Sequence, residues 1–242
     1  MKKAILSLAF VVLYTAVHAR GASPEPFTAT YNLRIGSLNV GTLERRLMSE
    51  DNGRYIYRSE TKATGLLALF RDERILEQSV WKLEGEQIRP LEYTYRHKGS
   101  KKNRDATIHF DWKNGKIESH KGENQWKMAI ERHVLDKLLY QWVAMRDLER
   151  DKGLKQVEYK VADGGKIKTY RFTPIGKETL TTPMGRFEAL KFQRLRDADD
   201  KRETTLWCAP ALRYLPIRVD NKEKDGTVIT AEIETLSGLT GK

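Results

Sequence analysis

The chain has 242 residues, of which 32% are charged and 39% hydrophobic, with a formal net charge of +11. That balance is the composition of a folded soluble chain and excludes a disordered one. A lone cysteine excludes an intramolecular disulfide framework.

Residues 1–19 read as a secretory signal peptide. Lys2 and Lys3 give a positive start, residues 4–17 form an apolar run, and Val17-His18-Ala19 places small residues where a signal peptidase requires them. The run is shorter than the about 20 residues of a membrane span and is interrupted by Ser7, Tyr14 and Thr15, so cleavage after Ala19 is expected rather than an uncleaved anchor. No Cys stands near the cleavage site, so no lipid-anchored lipoprotein is expected. The expected place is a bacterial periplasm, with no transmembrane anchor after cleavage. Cleavage takes 19 of the 242 residues and leaves 223; it removes Lys2 and Lys3 and lowers the net charge from +11 to +9. Residues 20–242 are expected to form a single β-rich domain with one sizeable core.

Strands dominate from there. Phe27, Ala29, Tyr31, Leu33 and Ile35 alternate with mostly polar neighbours, the period of a half-buried strand. Residues 38–47 and 54–64 form the next pair across Asn52-Gly53, a strong hairpin signal. Residues 66–70 (LLALF) are more apolar and suit a tucked loop or the lip of a pocket. Residues 73–83 and 87–96 pair around Gly85, with Pro90 suggesting a bulge or an edge. Residues 106–112 and 116–120 flank Asn114-Gly115, and 125–130 follow. Strands resume at 156–161, 166–173, 178–181, 186–195, 203–208, 215–219 and 228–236. Turn signals at this spacing predict an antiparallel meander.

One stretch breaks the pattern. In residues 136–153 the apolar Leu138, Leu139, Trp142, Val143, Met145 and Leu148 fall on one side at helical spacing. Lys137, Gln141, Arg146, Asp147 and Arg150 take the other side, Asp136 is placed to cap the first turn, and Gly153 to end the helix. The expectation is mainly β: an open curved antiparallel sheet, a half-barrel of about a dozen strands, covered by at least one α-helix.

Three places carry a resemblance. They are the Pro26-Phe27 strand with Gly36 and Gly41, the turn Thr182-Pro183-Met184-Gly185-Arg186-Phe187, and Trp207-Cys208-Ala209-Pro210 leading into Tyr214-Leu215-Pro216-Ile217-Arg218-Val219. Over nearly its whole mature length the chain resembles a family of exported bacterial proteins known only as a domain of unknown function. Members often have Asp-Pro at the helix start; Asp136-Lys137 departs from that here. The resemblance implies a small periplasmic protein and brings no catalytic residues with it. The expected architecture also looks like the half-barrels of periplasmic lipoprotein carriers, at the level of fold alone.

Candidate chemistry is sparse. Cys208 alternates with Leu206, which suits an inward thiol, and no local His is offered as a base. His97, His109, His120 and His133 form no metal-binding pair by spacing, although His109 and His120 sit on adjacent predicted strands. Neither a metal nor a cofactor is expected, and no catalytic residue is assigned. Trp207, Tyr214 and Arg218 suit a site or, more simply, core and rim. Gly164-Gly165 lies in a hairpin, not before a helix, so it is no phosphate loop. The sharpest basic cluster, Lys98, Lys101, Lys102 and Arg104, reads as a solvated hairpin tip or a contact for an anionic membrane surface. Export argues against nucleic acid.

Phe110, Trp112, Trp126 and Met128 come from strands before the helix, and Leu139, Trp142 and Met145 from the helix itself. Burying such groups stabilises by roughly 2–3 kcal/mol each, so they should meet. They either fill the space beneath the helix as core or line an apolar cavity there. With a cavity, the expected function is non-enzymatic binding of a lipid, acyl chain or lipid-linked partner in envelope assembly. The other readings are an envelope protein–protein adaptor and a hydrolase of envelope polymers.

Overall fold

Alternating stretches become strands because period-two patterning buries one face and leaves the other to water. The computed structural model describes residues 24–64, 73–99, 104–153, 155–196 and 200–239. The expected signal peptide at residues 1–19, the run at 66–70, and Lys101 and Lys102 lie outside the described residues. The first strands are β1 (Phe27–Ile35), β2 (Leu38–Ser49), β3 (Arg54–Ala63), β4 (Arg74–Glu84), β5 (Gln87–Lys98), β6 (Ala106–Asp111), β7 (Lys116–Lys121) and β8 (Asn124–Ala129). The rest are β9 (Val134–Asp136), β10 (Val157–Asp163), β11 (Lys166–Thr182), β12 (Gly185–Leu195), β13 (Glu203–Ala209), β14 (Leu215–Lys222) and β15 (Val228–Ser237). Helix α1 (Leu139–Arg150) stands between β9 and β10.

All fifteen strands join one open sheet, ordered β8-β7-β6-β5-β4-β3-β2-β1-β15-β14-β13-β12-β11-β10-β9. It is two meanders joined where β1 pairs with β15. The first wing is β1–β8 and the second β9–β15. β9 and β10 pair in parallel, a pairing that needs a crossover connection and has one in the helix between them.

Residues 130–133 carry the chain from β8, one edge of the sheet, to β9, the other edge. So short a link spans at most about 18 Å. The sheet is therefore curled until its two edges lie near each other. Side chains, not a ladder, meet across this seam. A Cβ added to Gly165, which precedes β11, would overlap the Trp126 ring on β8. Ser79 Oγ on β4 donates to Asp136 Oδ2 on β9 at 2.5 Å.

Two details differ from the sequence reading. The helix runs Leu139–Arg150 rather than 136–153, because Asp136 belongs to β9. Asp136 still serves the helix start: its Oδ1 accepts from the backbone N–H of Leu138 at 2.9 Å and of Leu139 at 2.8 Å. The predicted strands 166–173 and 178–181 are one strand, β11, whose ladder to β12 shifts register between Pro174 and Gly176. Gly176, at φ 139°, gives the backbone freedom that bulge needs, so the Pro does not end the strand. Pro90 sits at the β4–β5 register shift, which is the bulge of the two alternatives read for it, not an edge.

Candidate functional site

Helix α1 lies inside the curl and touches both wings. Toward the first wing, Trp142 meets Trp81 of β4 with centroids 4.7 Å apart, and Trp81 stacks in turn on Tyr55 of β3 at 4.6 Å. Gln141 is hydrogen-bonded by Arg45 of β2, so this nominally polar position faces the sheet rather than water. Toward the second wing, Tyr140 packs on Tyr159, Tyr170 and Phe172 of β10 and β11 at 6.0, 5.2 and 5.9 Å. Aromatics this close exclude solvent between their elements.

The seven residues expected around a cavity take different places. Phe110, Leu139, Trp142 and Met145 are buried members of the main core, and Trp112 and Met128 are partly buried against it. Trp112 donates from Nε1 to the Pro90 carbonyl at 2.7 Å and carries Arg89 over its ring. Trp126 stands apart at the seam against Gly165. Toward the first wing the Trp142 and Trp81 rings are in direct contact, while a recess of about 70 Å³ with mixed polar and apolar walls opens between Trp142, Met145 and Arg146 of the helix and Leu83 and Gly85 of the β4–β5 hairpin.

The second-wing side is different. There a slot of about 40 Å³ opens between α1 and β10–β14. Tyr140, Met145 and Leu148 wall it from the helix, and Phe172, Phe192 and Leu206 from the sheet. Of the expected cavity residues only Met145 lines it. The alternation of Tyr170 with Phe172 and of Leu190 with Phe192 carried the signal for the other wall, and the sequence reading did not pair those strands with the helix.

Cys208 also lines the slot. It is buried, and burial pushes its thiol up to about 12, so it offers no thiolate at neutral pH. Tyr214 is a buried wall residue of the same slot. Trp207 faces away from it, held between Lys191 and Arg218 at 4.9 Å each, and donates from Nε1 to Glu178 at 2.8 Å. No group of three His, Cys, Asp or Glu able to hold a metal gathers among the described residues. His109 and His120 are both exposed.

Under the helix start lies a polar knot. Asp136 is fully buried, and burial raises its carboxyl to about 6 against the Ser79 hydroxyl and the two backbone N–H groups that favour the charge. Nearby, Tyr93 donates to Glu77 at 2.5 Å. Lys98 is exposed at the end of β5. Arg104 borders a recess of about 210 Å³ with Tyr95, Lys121 and Lys137.

A family model described as a protein of unknown function (DUF3108) matches residues 27–234. No curated protein matches the chain. Among solved structures it is similar to a crystal structure of a beta-barrel-like protein of domain of unknown function DUF1849 from Brucella abortus. The two are 9% identical with a TM-score of 0.54, and the match covers 88% of this chain and 97% of that one. At that identity the likeness concerns the fold.

Proposed function

The chain belongs to the DUF3108 family, whose function is unknown, and from that premise we propose that it is a non-enzymatic binding protein for a lipid, an acyl chain or a lipid-linked partner in the cell envelope. Residues 1–19 support export to the periplasm, where such ligands need shelter from water. The observation that carries the reading is the asymmetry around α1. One side of the helix is locked to the sheet by stacked aromatics, and the other faces a slot of almost wholly apolar walls.

At about 40 Å³ the slot is well below the roughly 300–1,000 Å³ of small-molecule pockets. A chain enters by displacing Met145 and Leu148; the unbranched thioether of Met145 adapts at low cost. The buried, protonated Cys208 supports binding over nucleophilic catalysis.

The test is mass spectrometry of organic extracts from natively purified protein, with uptake of a fluorescent fatty acid measured in parallel. Bound lipid and saturable uptake are expected. Repeated absence of both would sink the reading.

A second reading, an envelope adaptor, is favoured by one edge. β9 has three residues and pairs only with Lys160–Ala162 of β10. Val157, Glu158 and Tyr159 run on past it beside a groove of about 920 Å³ bordered by Gln87, His133 and Arg146. An edge of this kind can accept an added strand. A photo-crosslinker at Glu158 that captures one envelope protein, with fatty-acid uptake absent, would favour the adaptor.

A further inference from the structure

The wall of the apolar slot continues into a strongly basic cleft. Tyr170 receives Tyr140 edge-on at 87°, and the Arg194 guanidinium lies 3.6 Å from the Tyr170 ring centroid. Arg194 is the cross-strand partner of Phe172, a slot wall residue. Around Tyr170 and Arg194 opens a cleft of about 670 Å³ that also presents Lys137, Lys168, Arg196 and Arg202.

Among the described residues the charges there do not balance. Asp163 serves both Lys168 at 2.6 Å and Lys137 at 3.6 Å. Asp200 serves both Arg202 at 2.7 Å and Arg196 at 3.1 Å. Arg171, also at the cleft, is held by Glu158 at 2.7 Å. Arg194 has no hydrogen bond or ion pair among the described residues, and its Nε is buried without an acceptor. Five cations thus share two carboxylates. Asp197 and Asp199, in the same β12–β13 connection, lie outside the described residues.

A buried guanidinium nitrogen without an acceptor carries a desolvation cost that an incoming oxyanion removes. The planar fork of Arg194 is already oriented by Tyr170, and such a fork matches two oxygens of one phosphate. Lys168, two residues before Tyr170 on β11, and Lys137, just before the helix, add point charges to the cleft. Burial pulls the Lys137 ammonium down, but Asp163, Glu77 and Tyr170 outweigh it and the net direction is up, so it stays charged. Beyond the Lys137–Asp163 pair the 210 Å³ recess adds Arg104 and Lys121, together with a buried Ser119 hydroxyl that has no partner.

We propose that this cleft binds a phosphoryl group, with Arg194 as its fork and Lys137 and Lys168 as flanking charges, and that it seats the head of an amphiphile whose chain starts at the slot. The chain half of this statement rests on the lipid-binding reading; the phosphoryl seat does not.

The test uses the full mature chain and two probes: inorganic phosphate, by calorimetry, and vesicles of phosphatidylcholine with or without phosphatidylglycerol, by sedimentation. Wild type is expected to bind the phosphatidylglycerol vesicles and not phosphatidylcholine alone. Arg194→Gln is expected to weaken that binding by about tenfold or more, with Arg194→Lys in between. Lys168→Gln, at an exposed position, is a second variant that leaves the core untouched and should weaken binding in the same direction. Binding of phosphate that Arg194→Gln abolishes, without binding of anionic vesicles, keeps the seat and assigns it to a free phosphorylated ligand. A seat confirmed by either probe, with no fatty-acid uptake, keeps the anion site and removes the lipid-carrying reading. Wild type that binds neither probe overturns the proposal. So does wild-type binding in Arg194→Gln and Lys168→Gln proteins with an unchanged unfolding midpoint.

Discussion

The two wings of the sheet grip the same helix in different ways. The first wing meets α1 through large aromatics in direct contact, Tyr55 on Trp81 on Trp142. The second wing meets it through Tyr140 at one end and leaves a slot beneath Met145 and Leu148, with a basic cleft behind the shared wall. The difference teaches that one wing holds the helix through stacked rings while the other leaves apolar space beside it. Rings stacked in direct contact lose dispersion on any shift, whereas an apolar wall beside a void loses little.

The largest effect should come from breaking the anchor. Trp81→Ala removes a side chain that is fully buried, and it should lower unfolding stability by about 3–5 kcal/mol in a urea titration. Leu206→Ala, at a half-buried wall of the slot, should cost clearly less. Equal costs would show that the wings do not differ in this way.

The next effect concerns the polar knot that ties the first wing to the helix start. The Asp136 carboxyl titrates near 6 in the fold and near its ordinary value of 3.8 when unfolded. The folded state therefore holds this proton more tightly. Its contribution is fully present below pH 4 and is lost as pH rises from about 4 through 6, on the order of 3 kcal/mol. Asp136→Asn keeps an acceptor for the Leu138 and Leu139 N–H groups and cannot titrate. Wild type minus variant, followed by thermal unfolding from pH 4 to 7, should show this loss; a flat difference would contradict the assignment.

The seam gives a smaller effect. Gly165→Val places a side chain into the Trp126 ring and should cost about 1–3 kcal/mol, with a shift in tryptophan emission as β8 moves off β10 and β11. The smallest effect on stability, and the sharpest on function, belongs to the slot. Ala144 is half-buried at its wall. Ala144→Leu should fill the void with a change within about 0.5 kcal/mol, yet abolish fatty-acid uptake. Retained uptake would place the ligand elsewhere.

Much of the architecture was legible because it is written in local period. The Asn114-Gly115 hairpin appears as read, with Gly115 at φ 65°. The helix was found from its apolar spacing, and Asp136 was identified as the group serving its first turn. The inward position of Cys208 followed from its alternation with Leu206. The site was less legible. Phe110, Trp112 and Trp126 read as either core or cavity walls, because aromatics near a helix are apolar wherever they end up. Whether they enclose space depends on what stands opposite, and that is a long-range matter. β9 escaped notice because three residues carry no period.

The sequence by itself determined the strands, the helix and most neighbour pairings along each meander, since those follow from side-chain alternation and turn chemistry within a few residues. It also determined the surplus of positive charge. Only the tertiary structure decided that β1 closes on β15, that β9 joins in parallel, that one side of the helix meets stacked aromatics while the other keeps an apolar slot, and that Arg194 Nε has no acceptor among the described residues. Those outcomes rest on contacts between residues far apart in the chain, as Ser79 and Asp136 are. No local pattern encodes which distant side chain will occupy the space across the curl.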